Sequence, residues 1–203
     1  MAKTIPNDIF QYSLLSAYNA GLKDGGPPVP FLKTQGSHGI GFLEDEESDL
    51  IQIDGVAYTI DQDGDVDLAE KDDAAPFVMI TNFQPKKREQ PPASTTAKQV
   101  KELFARNRNT PITFRVKGNF KYINTKQQTY WDVSGQLFGF CVPDWQKAVS
   151  GEGLQCMFLS EDEEHGGRVI DFETGVGAVL EWATCGRLHL GFPQDEEFEE
   201  IRL

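Results

Sequence analysis

Few side chains in this chain stand at a spacing that does recognisable chemistry. The three histidines, His38, His165 and His189, are far apart and show no ligand-like spacing. Each is expected at a turn or on the surface rather than in catalysis. The three cysteines, Cys141, Cys156 and Cys185, form no CxxC pair, so reduced thiols are expected and a cysteine zinc site is not. The run Asp61-Gln-Asp-Gly-Asp-Val-Asp67 has the carboxylate density of a calcium loop. An EF-hand loop, however, needs glycine at its sixth position and a bidentate glutamate at its twelfth. Here the glycine comes fourth, so a solvated turn is expected. Gly39-Ile-Gly41 is too short for a dinucleotide fingerprint and opens no helix. Neither a P-loop nor a GxSxG nucleophile elbow is present.

The elements that would position any site are mostly strands. A first helix is expected over residues 13–23, with Leu14, Ala17 and Tyr18 at helical spacing, Ser13 as cap and Gly21 at the end. Residues 24–30 read as a break. Residues 39–60 alternate apolar and polar, with Asp54-Gly55 as a hairpin turn and Asp63-Gly64 as a second turn. A strand is expected at 76–83 and a polar loop at 84–96. Thr95 or Thr96 then caps a helix with Val100, Leu103 and Phe104 on one face. Strands follow at 112–116, 120–124, 136–141, 154–159, 169–172, 178–182 and 187–190. Two or three short helices and about ten strands make an α+β protein of antiparallel or mixed sheets.

The 203 residues suit one compact unit, or two small layered subdomains sharing a core. No run approaches the ~18–20 apolar residues of a membrane span. The first residues hold no apolar stretch for a signal peptide, so the cytosol is the expected compartment. The formal net charge of −13, clustered at 44–47, 61–73, 161–164 and 195–200, makes nucleic acids and anionic membranes poor partners.

Several segments, in order along the chain, resemble those of α-acetolactate decarboxylases. Phe10–Gly25 is similar to that family's opening segment, and Gly36-Ser-His-Gly-Ile-Gly-Phe42 to its HGDFGLGTF. Asp49-Leu-Ile-Gln-Ile-Asp-Gly-Val-Ala-Tyr-Thr-Ile60 resembles its GELIxxDGxxYQI, and Ala75–Ile80 its TPFAVVT. Gly139-Phe-Cys-Val-Pro-Asp144 resembles GFRTP, and Phe158–Asp162 with Gly166–Phe172 resembles HFLSDD…GGHVLDF. The resemblance implies two sheet-containing subdomains, about 1–110 and 111–203, with a metal site between them, often in a homodimer. It also implies a small-molecule substrate, since the family converts α-acetolactate to acetoin and carbon dioxide.

The departures sit at the metal. The family holds zinc with a His-x-His on a strand and a third histidine in GGH. These fall on Gln155-Cys156-Met157 and on Arg168. Residues i and i+2 of a strand share a face, so Gln155 and Met157 replace the imidazoles while Cys156 points away. An amide and a thioether are weak zinc ligands and a guanidinium is none, so no metal cofactor is expected. The family's substrate-contacting arginine falls on Lys126, its active-site glutamate on Asp49, and the arginine of GFRTP on Cys141. The expectation is a metal-free lyase, isomerase or cyclase acting on a small oxygenated metabolite. Arg168 and Lys126 would stabilise negative charge, Asp49 would move a proton, and Gln155, Met157 and Cys141 would line the pocket. A binding or regulatory protein without catalysis, its old cavity filled by an Arg168–Asp49 pair, is the alternative. A working decarboxylase with a different metal set, drawing on Cys141, His165 or His38, is the third.

Overall fold

A computed structural model describes residues 5–44 and 48–203. Part of the acidic cluster at 44–47 and the first residues of the chain lie outside that range. In chain order the elements are β1 (Ile9–Tyr12), α1 (Leu15–Asn19), α2 (Val29–Gln35), β2 (His38–Phe42), β3 (Asp49–Ile53), β4 (Val56–Ile60), β5 (Val66–Leu68), β6 (Phe77–Thr81), β7 (Lys87–Glu89) and α3 (Ala97–Phe104). They continue with β8 (Ile112–Thr125), β9 (Thr129–Val142), α4 (Lys147–Ser150), β10 (Gly153–Ser160), β11 (Gly166–Thr174), β12 (Val179–Thr184), β13 (Leu188–Gly191) and α5 (Glu196–Glu200). No helix among the described residues is long and apolar enough to cross a membrane.

The strands form two sheets. The first has seven, in the order β13-β1-β6-β2-β3-β4-β5, and the second six, in the order β11-β10-β9-β8-β12-β7. All pairings are antiparallel except β1 with β13. This is the expected α+β fold of mixed sheets. One edge of the long β8 lies along β9, while the other meets β12 in its first half and β11 in its second. The second sheet therefore closes on itself. The sheets also trade strands. β7 leaves the N-terminal half to join the second sheet, and β13 returns from the C-terminus to the first.

Period-two alternation builds three cores. Ile40, Phe42, Phe77 and Met79 of the first sheet face Phe138, Phe140, Met157 and Leu159 of the second. The opposite face of the second sheet, with Leu137, Cys156 and Phe158, packs with Val100 and Phe104 of α3. Leu50, Val78 and Ile80, on the outer face of the first sheet, are covered by Val29 and Leu32 of α2.

Several local expectations meet their geometry directly. Asp54 and Gly55 both take positive φ, 50° and 83°, the pairing a tight hairpin needs. Asp61 Oδ1 accepts the backbone N–H groups of Asp63, Gly64 and Asp65, each at 2.9 Å, and so folds the aspartate-rich run into a turn. Thr96 caps α3, and Gln99 completes a capping box.

Other expectations are corrected. Ser13 does not cap α1. It sits buried at φ 64°, and the extended Leu14 precedes the helix without a side-chain cap. The break at 24–30 runs into α2, because Pro28 and Pro30 sit where a helix start tolerates proline. Strands 112–116 and 120–124 are one strand. Gly118 carries it through at φ 134°, where a Cβ would meet the Ala178 backbone at 3.0 Å. His38 is neither in a turn nor at the surface. It starts β2 with 3% exposure, ringed by Phe83 and Phe138.

Candidate functional site

Asp49 opens β3 opposite Phe42 of β2. Arg168 lies on β11 directly opposite Met157 of β10. The two charged residues meet where the sheets face each other. Arg168 Nη2 donates to Asp49 Oδ1 at 2.5 Å, and the guanidinium lies 4.1 Å from the Phe42 ring centroid. Asp49 is 6% exposed and Arg168 34%. Gln127 completes the group. Its Nε2 donates to Asp49 Oδ2 at 3.0 Å, and its Oε1 accepts the backbone N–H of Arg168 at 3.2 Å.

The turn between β8 and β9 brings Lys126 and Gln127 to this place. Thr125 Oγ1 closes the turn by accepting the Gln128 N–H and donating to the Gln128 carbonyl. The Lys126 N–H donates to the Arg168 carbonyl at 2.8 Å, which fastens the turn to β11. Above the pair opens a cavity of about 570 Å³. Its walls are Lys126, Gln127, Gln62 and, from α1 and the loop after it, Tyr18, Asn19 and Lys23. A cleft of about 720 Å³ lies elsewhere, lined by Glu44, Asp67, Glu70, Asp72 and Asp73. It holds none of the residues that the family resemblance assigns to the site, and its charge would repel an anionic metabolite.

Beneath the pair the space is closed. Phe42, Phe77, Met79, Met157 and Arg168 surround about 20 Å³, room for roughly one water molecule. Met157 is buried among the rings of the inter-sheet core. Gln155 borders the same space, and its Nε2 turns away to the Glu152 carbonyl at 2.8 Å. Cys156 packs on the opposite face of β10.

Arg168, Asp49 and Lys126 therefore share one cavity, with Gln155 and Met157 below its floor. Cys141 is elsewhere. It follows Phe140 on β9 and so faces the α3 side, in a cleft with Lys101 and Phe104, where burial pushes its thiol up to about 11. The sequence does not single out Gln127, Gln62, Asn19 or Lys23 for a site, and it places Tyr18 only at the helical spacing of the first helix. Gln127 had one signal, its place beside Lys126.

The donor set tests the zinc that the family resemblance implies. An amide, a thioether and a guanidinium at 155, 157 and 168 do not fit that ion. Among the described residues, no three histidine, cysteine, aspartate or glutamate side chains are grouped to hold a metal. His38 stands apart. Its Nδ1 meets Ser37 Oγ at 2.9 Å, and its Nε2 lies 3.5 Å from Asp54 Oδ1. Burial pushes the imidazole down to about 4, against the opposing pull of Asp54. His165 pairs with Asp65 at 3.7 Å and His189 with Asp8 at 3.4 Å.

Comparison with known proteins agrees with this architecture. The chain is 25% identical to the α-acetolactate decarboxylase of Klebsiella aerogenes, over 100% of this chain and 86% of that protein. It is 28% identical to that of Streptococcus thermophilus, over 94% of this chain and 90% of the relative. The fold superposes on the acetolactate decarboxylase of Bacillus subtilis subspecies spizizenii with a TM-score of 0.90 at 22% identity, covering 96% of this chain and 94% of that one. A Staphylococcus aureus protein of unknown function, described as similar to α-acetolactate decarboxylase, gives 0.89 at 23% identity, covering 97% and 94%. The family model for alpha-acetolactate decarboxylase matches residues 9–130 and 124–203, and with both sheets accounted for, this chain belongs to the α-acetolactate decarboxylase family.

Proposed function

We propose that this member of the family works without a metal ion, as a lyase, isomerase or cyclase acting on a small oxygenated metabolite other than α-acetolactate. One observation carries the reading. The guanidinium of Arg168 is held at the floor of an open polar cavity that Lys126 also lines. A substrate oxygen that gains charge during bond cleavage or enolisation would find both cations there. A well-placed donor of this kind is worth about 3 kcal/mol of barrier. Asp49, the acid at the same floor, is the group that would exchange a proton with the substrate. The three free thiols fit a reducing compartment such as the cytosol.

A second reading, a binding or regulatory protein, is favoured by a different observation. Both oxygens of Asp49 already accept hydrogen bonds, one from Arg168 and one from Gln127. That arrangement suits a settled ion pair better than a proton carrier.

Elemental analysis and turnover of the purified protein, before and after dialysis against a chelator, test the proposal. The expected result is no stoichiometric metal and little or no turnover of α-acetolactate. One zinc per chain with chelator-sensitive turnover of α-acetolactate would sink the metal-free reading. Metabolite screening then separates the first two readings: binding without turnover of any bound metabolite identifies the second.

A further inference from the structure

We infer that Gln127 is a positioning residue of this site, setting the orientation of both Asp49 and Arg168 toward the cavity. The inference rests on the cavity being the working site. Gln127 makes a hydrogen bond to each member of the pair. Its carbonyl oxygen takes the backbone N–H of Arg168, a donor that a further strand residue would otherwise satisfy. Its NH₂ group gives one proton to Asp49 Oδ2. Asp49 Oδ1 is thereby left to the tip of Arg168, so each carboxylate oxygen serves one partner.

Without Gln127 the carboxylate is free to rotate and chelate the guanidinium with both oxygens, the favoured arrangement for such pairs. The guanidinium would then turn its donors inward to the carboxylate and away from the cavity. Gln127 also lines the cavity itself. An amide NH₂ carries two protons, and the one not given to Asp49 is available to an oxygen of the ligand. Gln127 thus links the backbone of β11, the acid on β3 and the space where a ligand would sit.

The test uses the whole protein labelled with ¹⁵N-arginine. In Gln127→Leu, which keeps much of the side-chain bulk and removes its polar atoms, the Arg168 side-chain Nε–H signal should shift and exchange faster. The Arg168 amide should lose protection by about tenfold or more, with the melting temperature shifted by only a few degrees. Gln127→Glu supplies the second arm. As a carboxylate it keeps the acceptor for the Arg168 N–H but crowds Asp49 with like charge. When neutral, its O–H replaces the lost donor. Compared with wild type at each pH, its Arg168 signal should return toward the wild-type position on acidification, whereas that of Gln127→Leu should not. Among the described residues, the other ionisable groups around the cavity, Arg168, Lys126, Lys23, Asp49 and Tyr18, are common to all three proteins.

Folded variants with an unchanged Arg168 signal at every pH overturn the inference, and Gln127→Glu alone decides if Gln127→Leu does not fold. A titration with 2-hydroxyisobutyrate, a small hydroxy acid, separates this inference from the functional proposal. If Arg168 responds to the substitutions but the probe leaves the cavity signals of the wild type unmoved, the positioning role stands and the reading of the cavity as a site for small oxygenated metabolites falls. If the probe binds the wild type and both variants with equal affinity and unmoved Arg168 signals, the reverse holds.

Discussion

The two sides of the Asp49–Arg168 pair are built on opposite principles. Above it, about 570 Å³ is walled by lysine, glutamine, asparagine and tyrosine. Below it, about 20 Å³ remains among Phe42, Phe77, Met79 and Met157. Packing fills the lower side, as in any core, while the upper side keeps polar atoms that nothing apolar covers. Residue 157, the position that the family resemblance assigns to an imidazole, belongs wholly to the lower side. Arg168 belongs to both: it pairs with Met157 across the strands and lays its guanidinium over Phe42, and it lines the cavity above as well. This place therefore separates what supports the floor from what faces the cavity.

Substitutions that strike one side only should break or confirm that division. The largest effect is expected below. Met157→Ala removes a buried side chain and should cost about 2–5 kcal/mol in denaturant unfolding, with the affinity of any cavity ligand nearly unchanged. The same core holds His38, neutral and buried. Its pKa is pushed down to about 4 from an ordinary 6.5, so the unfolded chain binds the proton more tightly. Its contribution to stability is complete above pH 6.5 and is lost as the pH falls toward 4, by up to about 3 kcal/mol. Unfolding curves across that range should show the loss, and His38→Gln should flatten this share of it.

Arg168→Ala acts on both sides. It leaves Asp49 buried and unpaired and should cost about 2 kcal/mol, less than the breaking of a fully buried pair because the arginine is partly exposed. It should also weaken ligand binding at least tenfold. The smallest change in stability is expected above. Lys126→Ala should leave unfolding within about 0.5 kcal/mol of wild type, yet lower ligand affinity or turnover by about tenfold. A Lys126 variant that loses stability, or a Met157 variant that loses affinity at full stability, would dissolve the distinction between the two sides.

The sequence made the buried strands legible, because burial on both faces writes itself as a near-continuous apolar run bounded by turn residues. Phe77–Thr81 and Gly153–Ser160 are such strands. It was silent where tertiary contacts decide. The exposed Lys87–Glu89 is a strand only because β12 offers it an edge. Helix α5 is built almost wholly of acids and has no apolar stripe to announce it. At the site, physics alone singled out none of Arg168, Lys126 or Asp49; the family resemblance did, and the fold sets all three around one cavity. It also suggested Cys141, which the strand period would have placed on the opposite face from Phe140. Gln127 and Gln62 sit in turns, where polar residues carry no period and only three-dimensional proximity gives them meaning.

The exchange of β7 and β13 between the sheets has a mechanical consequence. Two lobes joined by one linker can swing apart and close on a ligand like jaws. Here each sheet keeps a strand whose chain continuation lies in the other, so the seam is laced twice. A clamshell motion would have to tear an edge strand from its ladder. Admission to the cavity must then be a matter of side chains and short loops at its rim, on a floor that stays still. A chain severed near residue 110 would deprive each half of a strand and should yield two insoluble fragments rather than two working lobes.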